Sequence, residues 1–160
     1  MKKTLLALAL LGASATASAD SWIYGGVNVG QSDFMGDETT SYGVHAGTGI
    51  LPLIGLEVGY QNHGEFKRHG VTFDADSVYF AVKPSIDFGP LHVYAKGGLH
   101  KWDVSSNVAG LSDDDVDLMY GVGAEYFLFG PVSVGASYNI FEMDKEEVKT
   151  LSLNATFHFL

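Results

Sequence analysis

The chain predicts an all-β fold, an eight-stranded antiparallel up-and-down transmembrane β-barrel, and three observations carry that expectation. Eight stretches alternate with period two, and in each the large apolar residues keep one parity while small or polar residues keep the other. Short turns rich in Gly and Pro alternate with longer polar segments between those stretches. The composition agrees: among 160 residues there are 20 Gly, 8 Tyr and 10 Phe, with no Cys to staple a smaller scaffold. That length is room for one domain.

The first residues read as an export signal. Lys2 and Lys3 precede the apolar run Leu5 to Leu11, and Ala17-Ser18-Ala19 supplies small residues for cleavage before Asp20. The run is shorter than the ~20 apolar residues a membrane helix needs. Beyond Asp20 every longer apolar stretch is broken by Gly, Asp, Glu, Lys or His. The expectation is a signal peptide over residues 1–19 and a barrel domain over residues 20–160. Losing Lys2 and Lys3 takes the formal net charge from −10 to −12, which disfavours a nucleic-acid surface, because that needs basic groups to displace counterions.

The apolar parity can be named strand by strand. It is Ile23, Val27 and Val29 in the first; Val44, Ala46, Thr48 and Ile50 in the second; Leu56, Val58 and Tyr60 in the third; Val78, Phe80, Val82 and Ile86 in the fourth. The fifth presents Leu91, Val93, Ala95 and Leu99; the sixth Leu118, Tyr120, Val122, Ala124, Tyr126 and Leu128. The seventh presents Val132, Val134, Ala136, Tyr138 and Ile140, and the eighth Leu151, Leu153, Ala155, Phe157 and Phe159. Successive strand residues point to opposite faces, so each set is one continuous stripe.

A soluble barrel would place its large apolar core on the other parity, which here holds Gly, Ser, Asn28, His45, Tyr94 and His100 together with Glu57, Lys83, Lys96 and Glu125. Charged groups are almost never buried in a dry core unless paired. The apolar stripe therefore faces lipid, and closing the sheet leaves no unpaired edge there. Aromatics near strand ends, Trp22, Phe88, Tyr126, Phe157 and Phe159 on one side with Tyr42 and Tyr60 on the other, read as interfacial girdles.

The connections set the orientation. Leu51-Pro52-Leu53, Phe88-Gly89-Pro90 and Phe129-Gly130-Pro131 are tight turns, expected on the periplasmic side. The stretches near Asp33 to Ser41, Asn62 to Asp76, Asp103 to Asp117 and Glu142 to Lys149 read as long loops on the cell exterior, and they hold nearly all of the acidic excess. Within them Asp113, Asp114, Asp115 and Asp117 form a candidate cation site, since hard cations take several carboxylate oxygens, although their spacing matches no calcium-loop motif.

Several segments together resemble the eight-stranded membrane domain of outer-membrane protein A, with smaller OmpX-like barrels as relatives. They are Pro52-Leu53-Ile54-Gly55-Leu56-Glu57-Val58-Gly59-Tyr60, the run from Leu91 to Trp102 with Tyr94, Lys96 and Gly98, the pair Glu125-Tyr126, and the ending from Leu151 to Phe159. The resemblance implies an outer-membrane location, lipid and lipopolysaccharide as surroundings, and recognition of the terminal Phe157-His158-Phe159-Leu160 by the barrel assembly machinery. It also implies an acid–base network in the lumen: Glu57 and Glu125 match the family's acids, Lys96 a base on the fifth strand, and Lys83 a base on the fourth after a one-residue shift. Bases that the family carries on the seventh and first strands fall here at Gly135 and Asn28. The family's peptidoglycan-binding domain has no counterpart, so wall anchoring is not implied.

These readings favour a monomeric structural or surface-interaction protein, adhesin-like, with a plugged polar lumen, no cofactor and no recognisable ligand motif in its loops. A narrow gated ion pore is the alternative, because inward Gly26, Gly30, Gly47, Gly121, Gly123, Ser133 and Gly135 leave space for water. A lipid-A-modifying barrel enzyme is a second, and would need His63 or His69 beside a serine and a carboxylate on the outer rim. A soluble lipocalin-type barrel would put the apolar parity inside. Glycosidase chemistry at Glu57 and Glu125 is excluded by a lumen just wide enough for side chains, and the six histidines show no metal-ligand spacing.

Overall fold

The structure, a computed structural model, describes residues 23–51, 53–68, 70–106, 113–144 and 146–159; the expected signal segment and Trp22 lie outside them. It has eight strands: β1 (Ile23–Phe34), β2 (Asp37–Leu51), β3 (Ile54–Arg68), β4 (Val71–Phe88), β5 (Leu91–Ser106), β6 (Asp113–Phe129), β7 (Val132–Met143) and β8 (Glu146–Phe159). Each pairs antiparallel with the next in the chain, and β8 returns to β1, so the sheet closes. Inward and outward residues alternate along every wall as the period-two pattern requires. Leu153, Val78, Val122 and Ile50 are among the most exposed apolar side chains, each more than half open to the surroundings. Those stripes join into a belt around the barrel, and Phe88, Tyr126, Phe157, Phe159 and Tyr42 stand outward along its two margins.

Besides register shifts next to the short turns, at Gly49/Leu51 and Phe127/Phe129, a proline and a bulge further along the strands shape the wall. Pro84 sits mid-strand in β4, where its nitrogen has no hydrogen to give the ladder; pairing with β5 passes from Val82↔Gly97 to Ser85↔Tyr94 in the same register. A β-bulge between Asn62 and Gly64 shifts the pairing of β3 with β4. Below it Glu57, Gln61 and His63 are buried, and above it Phe66 is, so the inward parity changes from odd to even at that point.

The four stretches expected to be long outer loops are instead largely strand. β1 and β2 meet in a two-residue turn with Met35 at φ 56° and Gly36 at φ 89°, a pair of left-handed residues matching the twist of a tight hairpin. Asp33 Oδ1 holds this turn by accepting from Gly36 N at 3.0 Å. β3–β4 and β7–β8 likewise continue past the apolar belt, to Arg68 and Val71 and to Met143 and Glu146. The physical reason is a reversal of environment. Beyond the belt the outside of the wall faces water, so Glu65, Lys67, Asp74, Lys101, Asp103 and Lys149 point out while Phe66, Ala75, Trp102, Met143 and Val148 point in. The same barrel is lipid-adapted below and built like a soluble barrel above.

Candidate functional site in the barrel lumen

At the level nearer the short turns, the lumen is crossed by charged side chains from four strands. Glu57 of β3 accepts from Lys96 of β5 at 2.5 Å and from Tyr79 of β4 at 2.8 Å through Oε1, and from Tyr24 of β1 at 2.9 Å through Oε2. Lys83 of β4 lies between the two acids, 3.5 Å from Glu57 and 3.9 Å from Glu125. Its ammonium also sits 4.1 Å from the centre of the Tyr94 ring and 4.4 Å from that of Tyr24. Glu125 of β6 completes the set by accepting from Ser133 at 2.8 Å, with His158 Nε2 3.7 Å away. Two carboxylates and two ammoniums thus face one another with most oxygens occupied, the condition under which buried charges are tolerated.

The aromatic members are seated by glycines on the neighbouring strand. Gly59 is paired with Tyr79 and Gly123 with Tyr94, and in each case a Cβ on the glycine would fall into the tyrosine ring. The ring therefore lies flat across the bare backbone and carries its hydroxyl into the lumen: Tyr79 to Glu57, Tyr94 to Asn154, which donates to it at 3.1 Å. This corrects the expectation that inward glycines leave room for water. Beside Gly47 and Gly26 the space is taken by Tyr24 and His45, and beside Gly121 by Asn139.

The other expected lumen residues all face inward but do not form one cluster. Asn28 stands opposite Gly43 and Asn154 on the flanking strands. His45 Nε2 lies 3.3 Å from Thr156 Oγ1. His100 belongs to a higher layer, its Nδ1 3.1 Å from Ser77 Oγ and its Nε2 donating to the Glu142 carbonyl at 2.7 Å. His63, considered for an outer-rim catalytic set, is wholly buried in that layer, 2.9 Å from the same Ser77 hydroxyl. His69 lies outside the described residues.

Above the histidines an apolar layer spans the lumen. Trp102, Met119, Phe141, Met143 and Val148 are all buried and pack with Tyr79 and Ala81, with Phe34 and Val104 against them. Phe141 contacts both histidines edge-on, its ring centre 4.7 Å from that of His63 and 5.2 Å from that of His100. Phe141 stands on the same inward parity of β7 as Ser133 and Gly135, so the period-two pattern extended along that strand reaches it.

Of the four loop aspartates, Asp114, Asp115 and Asp117 do not converge, and the Asp113 side chain lies outside those described. Because strand residues alternate, Asp114 projects outward beside Lys101 at 3.4 Å, while Asp117 turns in and accepts from Trp102 Nε1 at 2.8 Å and Asp144 N at 2.9 Å. Asp115 accepts from the next backbone N–H, that of Val116. Among the described residues no group of three or more His, Asp or Glu side chains is placed to hold a metal ion.

An apolar belt around a closed ladder with an ion-paired lumen is the build of an integral outer-membrane β-barrel protein. A family profile agrees over almost the whole length: the chain belongs to the outer membrane protein beta-barrel domain family, matched over residues 4–159. No curated protein matches the sequence. Among solved structures it is similar to Neisserial surface protein A, with 17% identity, TM-score 0.66, 86% of this chain and 96% of that one covered. It is also similar to the N-terminal β-barrel domain of Pseudomonas aeruginosa OprF (16%, TM-score 0.61, covering 85% and 97%) and to Ail, the attachment invasion locus protein of Yersinia pestis (16%, TM-score 0.60, covering 86% and 96%). At such identities the likeness is one of fold; the family match is what places the chain in the outer membrane.

Proposed function

We infer that this barrel works through its exterior, as a surface-interaction protein, and that its lumen is a structural plug. The carrying observation is the pairing of a filled interior with strands that run on beyond the apolar belt. Glu57, Lys83, Lys96 and Glu125 close the lower lumen and the Phe141 layer closes the upper one, so the surface left to meet partners from solvent is the acidic rim of the outer hairpins. The outward Phe157 and Phe159 on β8, the strand that closes on β1, support recognition by the barrel assembly machinery and a monomeric end state. One structure of Ail contains a heparin analogue, sucrose octasulfate; the acidic outer hairpins here argue against a polyanionic ligand, which they would repel.

The narrow-pore reading makes the opposite demand on the lumen, and enzyme action has the fold of the outer-membrane enzyme PagL to its credit (11% identity, TM-score 0.53). Ser133 does lie 2.9 Å from His158 Nε2, but Glu125 stands 3.7 Å from that same nitrogen, and Ser133 is fully buried, which argues against a substrate reaching its hydroxyl. Planar-bilayer recording of the refolded protein tests the plug: no resolved current steps are expected, and steady unitary conductance in the unmodified protein would replace the plug by a pore.

A further inference from the structure

The apolar layer has a cavity above it. Phe34, Phe66, Phe73, Val104, Met143 and Val148 line a space of about 260 Å³ at the outer mouth, with Met35 and Asp37 of the β1–β2 turn at its edge. Its position is unusual for so apolar a lining. It stands above the lipid belt, inside the part of the wall whose outer side faces water, so membrane chains do not reach it from the flank. Apolar cavities well above ~100 Å³ stay dry and take up hydrophobic guests. The volume falls just under the ~300–1,000 Å³ of typical small-molecule pockets, which suits one aliphatic chain and not a folded partner.

The rim selects the head of such a guest. Met35 is shared with an adjoining recess lined by Asp33, Gly36, Glu146, Glu147 and Lys149. With Asp37, the described rim sets four carboxylates against one ammonium, and Lys149 is itself paired with Glu147 at 3.6 Å. A chain buried in the cavity would leave its head among those acids. We propose that the outer mouth is a binding site for single-chain cationic amphiphiles, the chain in the Phe-lined cavity and the positive head at the Asp33–Asp37–Glu146 rim. The proposal does not depend on the hairpins' role as an interaction surface.

The sequence supplies its own reporters, because Met35 and Met143 line the cavity while Met119 is packed beneath it. The protein, methyl-labelled at methionine and held in phosphatidylcholine nanodiscs, is titrated with decyltrimethylammonium and separately with decanoate. Saturable shifts at Met35 and Met143 exceeding that at Met119, and binding about tenfold tighter for the cation at low salt, are expected. Asp37→Asn with Glu146→Gln should bring the two probes together, and Val104→Trp should abolish the shifts while the band still changes mobility on heating. Should that variant not fold, Ala75→Leu, which intrudes less into the same space, should weaken binding severalfold. Shifts that rise linearly without saturating, equal shifts at all three methionines, equal binding of decanoate, or full binding by a folded filled variant would each overturn the assignment.

Discussion

The ammonium of Lys96 lies 2.5 Å from a carboxylate oxygen of Glu57, although thirty-nine residues separate the two in the chain. Both side chains are buried, on strands that are not neighbours in the barrel, since β4 lies between them. The contact therefore passes over β4 on the inner face of the wall and ties two strands that the ladder does not pair directly.

Truncating this link should be costly because one charge is left behind. Glu57→Ala is expected to lose about 3–5 kcal/mol of stability by stranding Lys96 and Lys83. The double change Glu57→Gln with Lys96→Met should be milder than Glu57→Ala alone. Urea midpoints, followed by the heat-dependent gel shift of the folded barrel, measure this, and unchanged midpoints in Glu57→Ala would remove the cross-link.

Gly59→Ala should destabilise the barrel by about 1–3 kcal/mol, because its methyl displaces the Tyr79 ring and with it the bond to Glu57. Combining Gly59→Ala with Tyr79→Ala should cost less than the two single losses added together. Strict additivity in a double-mutant cycle would mean that ring and glycine are independent.

The lipid face can be probed at Leu153, which is 68% exposed at mid-belt. Leu153→Arg is expected to cost about 2–4 kcal/mol in reversible folding into bilayers, whereas Lys149→Ala, four residues further out on the same face, should be near neutral. Spin labels at Val58, Val93 and Leu153 should collide with oxygen dissolved in lipid more readily than with a water-soluble nickel reagent.

Asp117 lies just beyond the belt, and the Asp144 N–H, followed by the Trp102 indole, holds its carboxyl below the usual carboxylate range. A lowered folded value means that the ionised form stabilises the β7–β8 hairpin at pH above the ordinary ~3.9 of a free aspartate, and that this contribution fades as pH falls through the lowered value. The protection factor of the Asp144 amide, its exchange rate relative to an unstructured amide at the same pH, should thus hold steady from pH 7 to 5 and fall in stronger acid. Asp117→Asn should exchange faster at pH 7 and show a flatter acid dependence; identical profiles would refute the link.

Much of this was readable from one strand at a time. The number of strands, the lipid-facing parity, the three tight turns and the inward placement of Glu57, Lys83, Lys96 and Glu125 all follow from a period of two, which is a local property of the backbone. The outer hairpins were missed for a related reason: polar outward residues such as Glu65 and Asp74 mask strands once the solvent outside changes from lipid to water, and the bulge at Asn62/Gly64 breaks the count before Phe66.

Which side chains meet was decided by closure and stagger of the barrel. The four-residue acidic run looked like one cluster, yet the wall sends Asp114 and Asp117 to opposite faces. The inward glycines looked like empty space until register set Tyr79 over Gly59 and Tyr94 over Gly123. Alternation determines the face on which a residue stands; only the closed sheet, whose strand tilt and register are global quantities, determines what stands across from it.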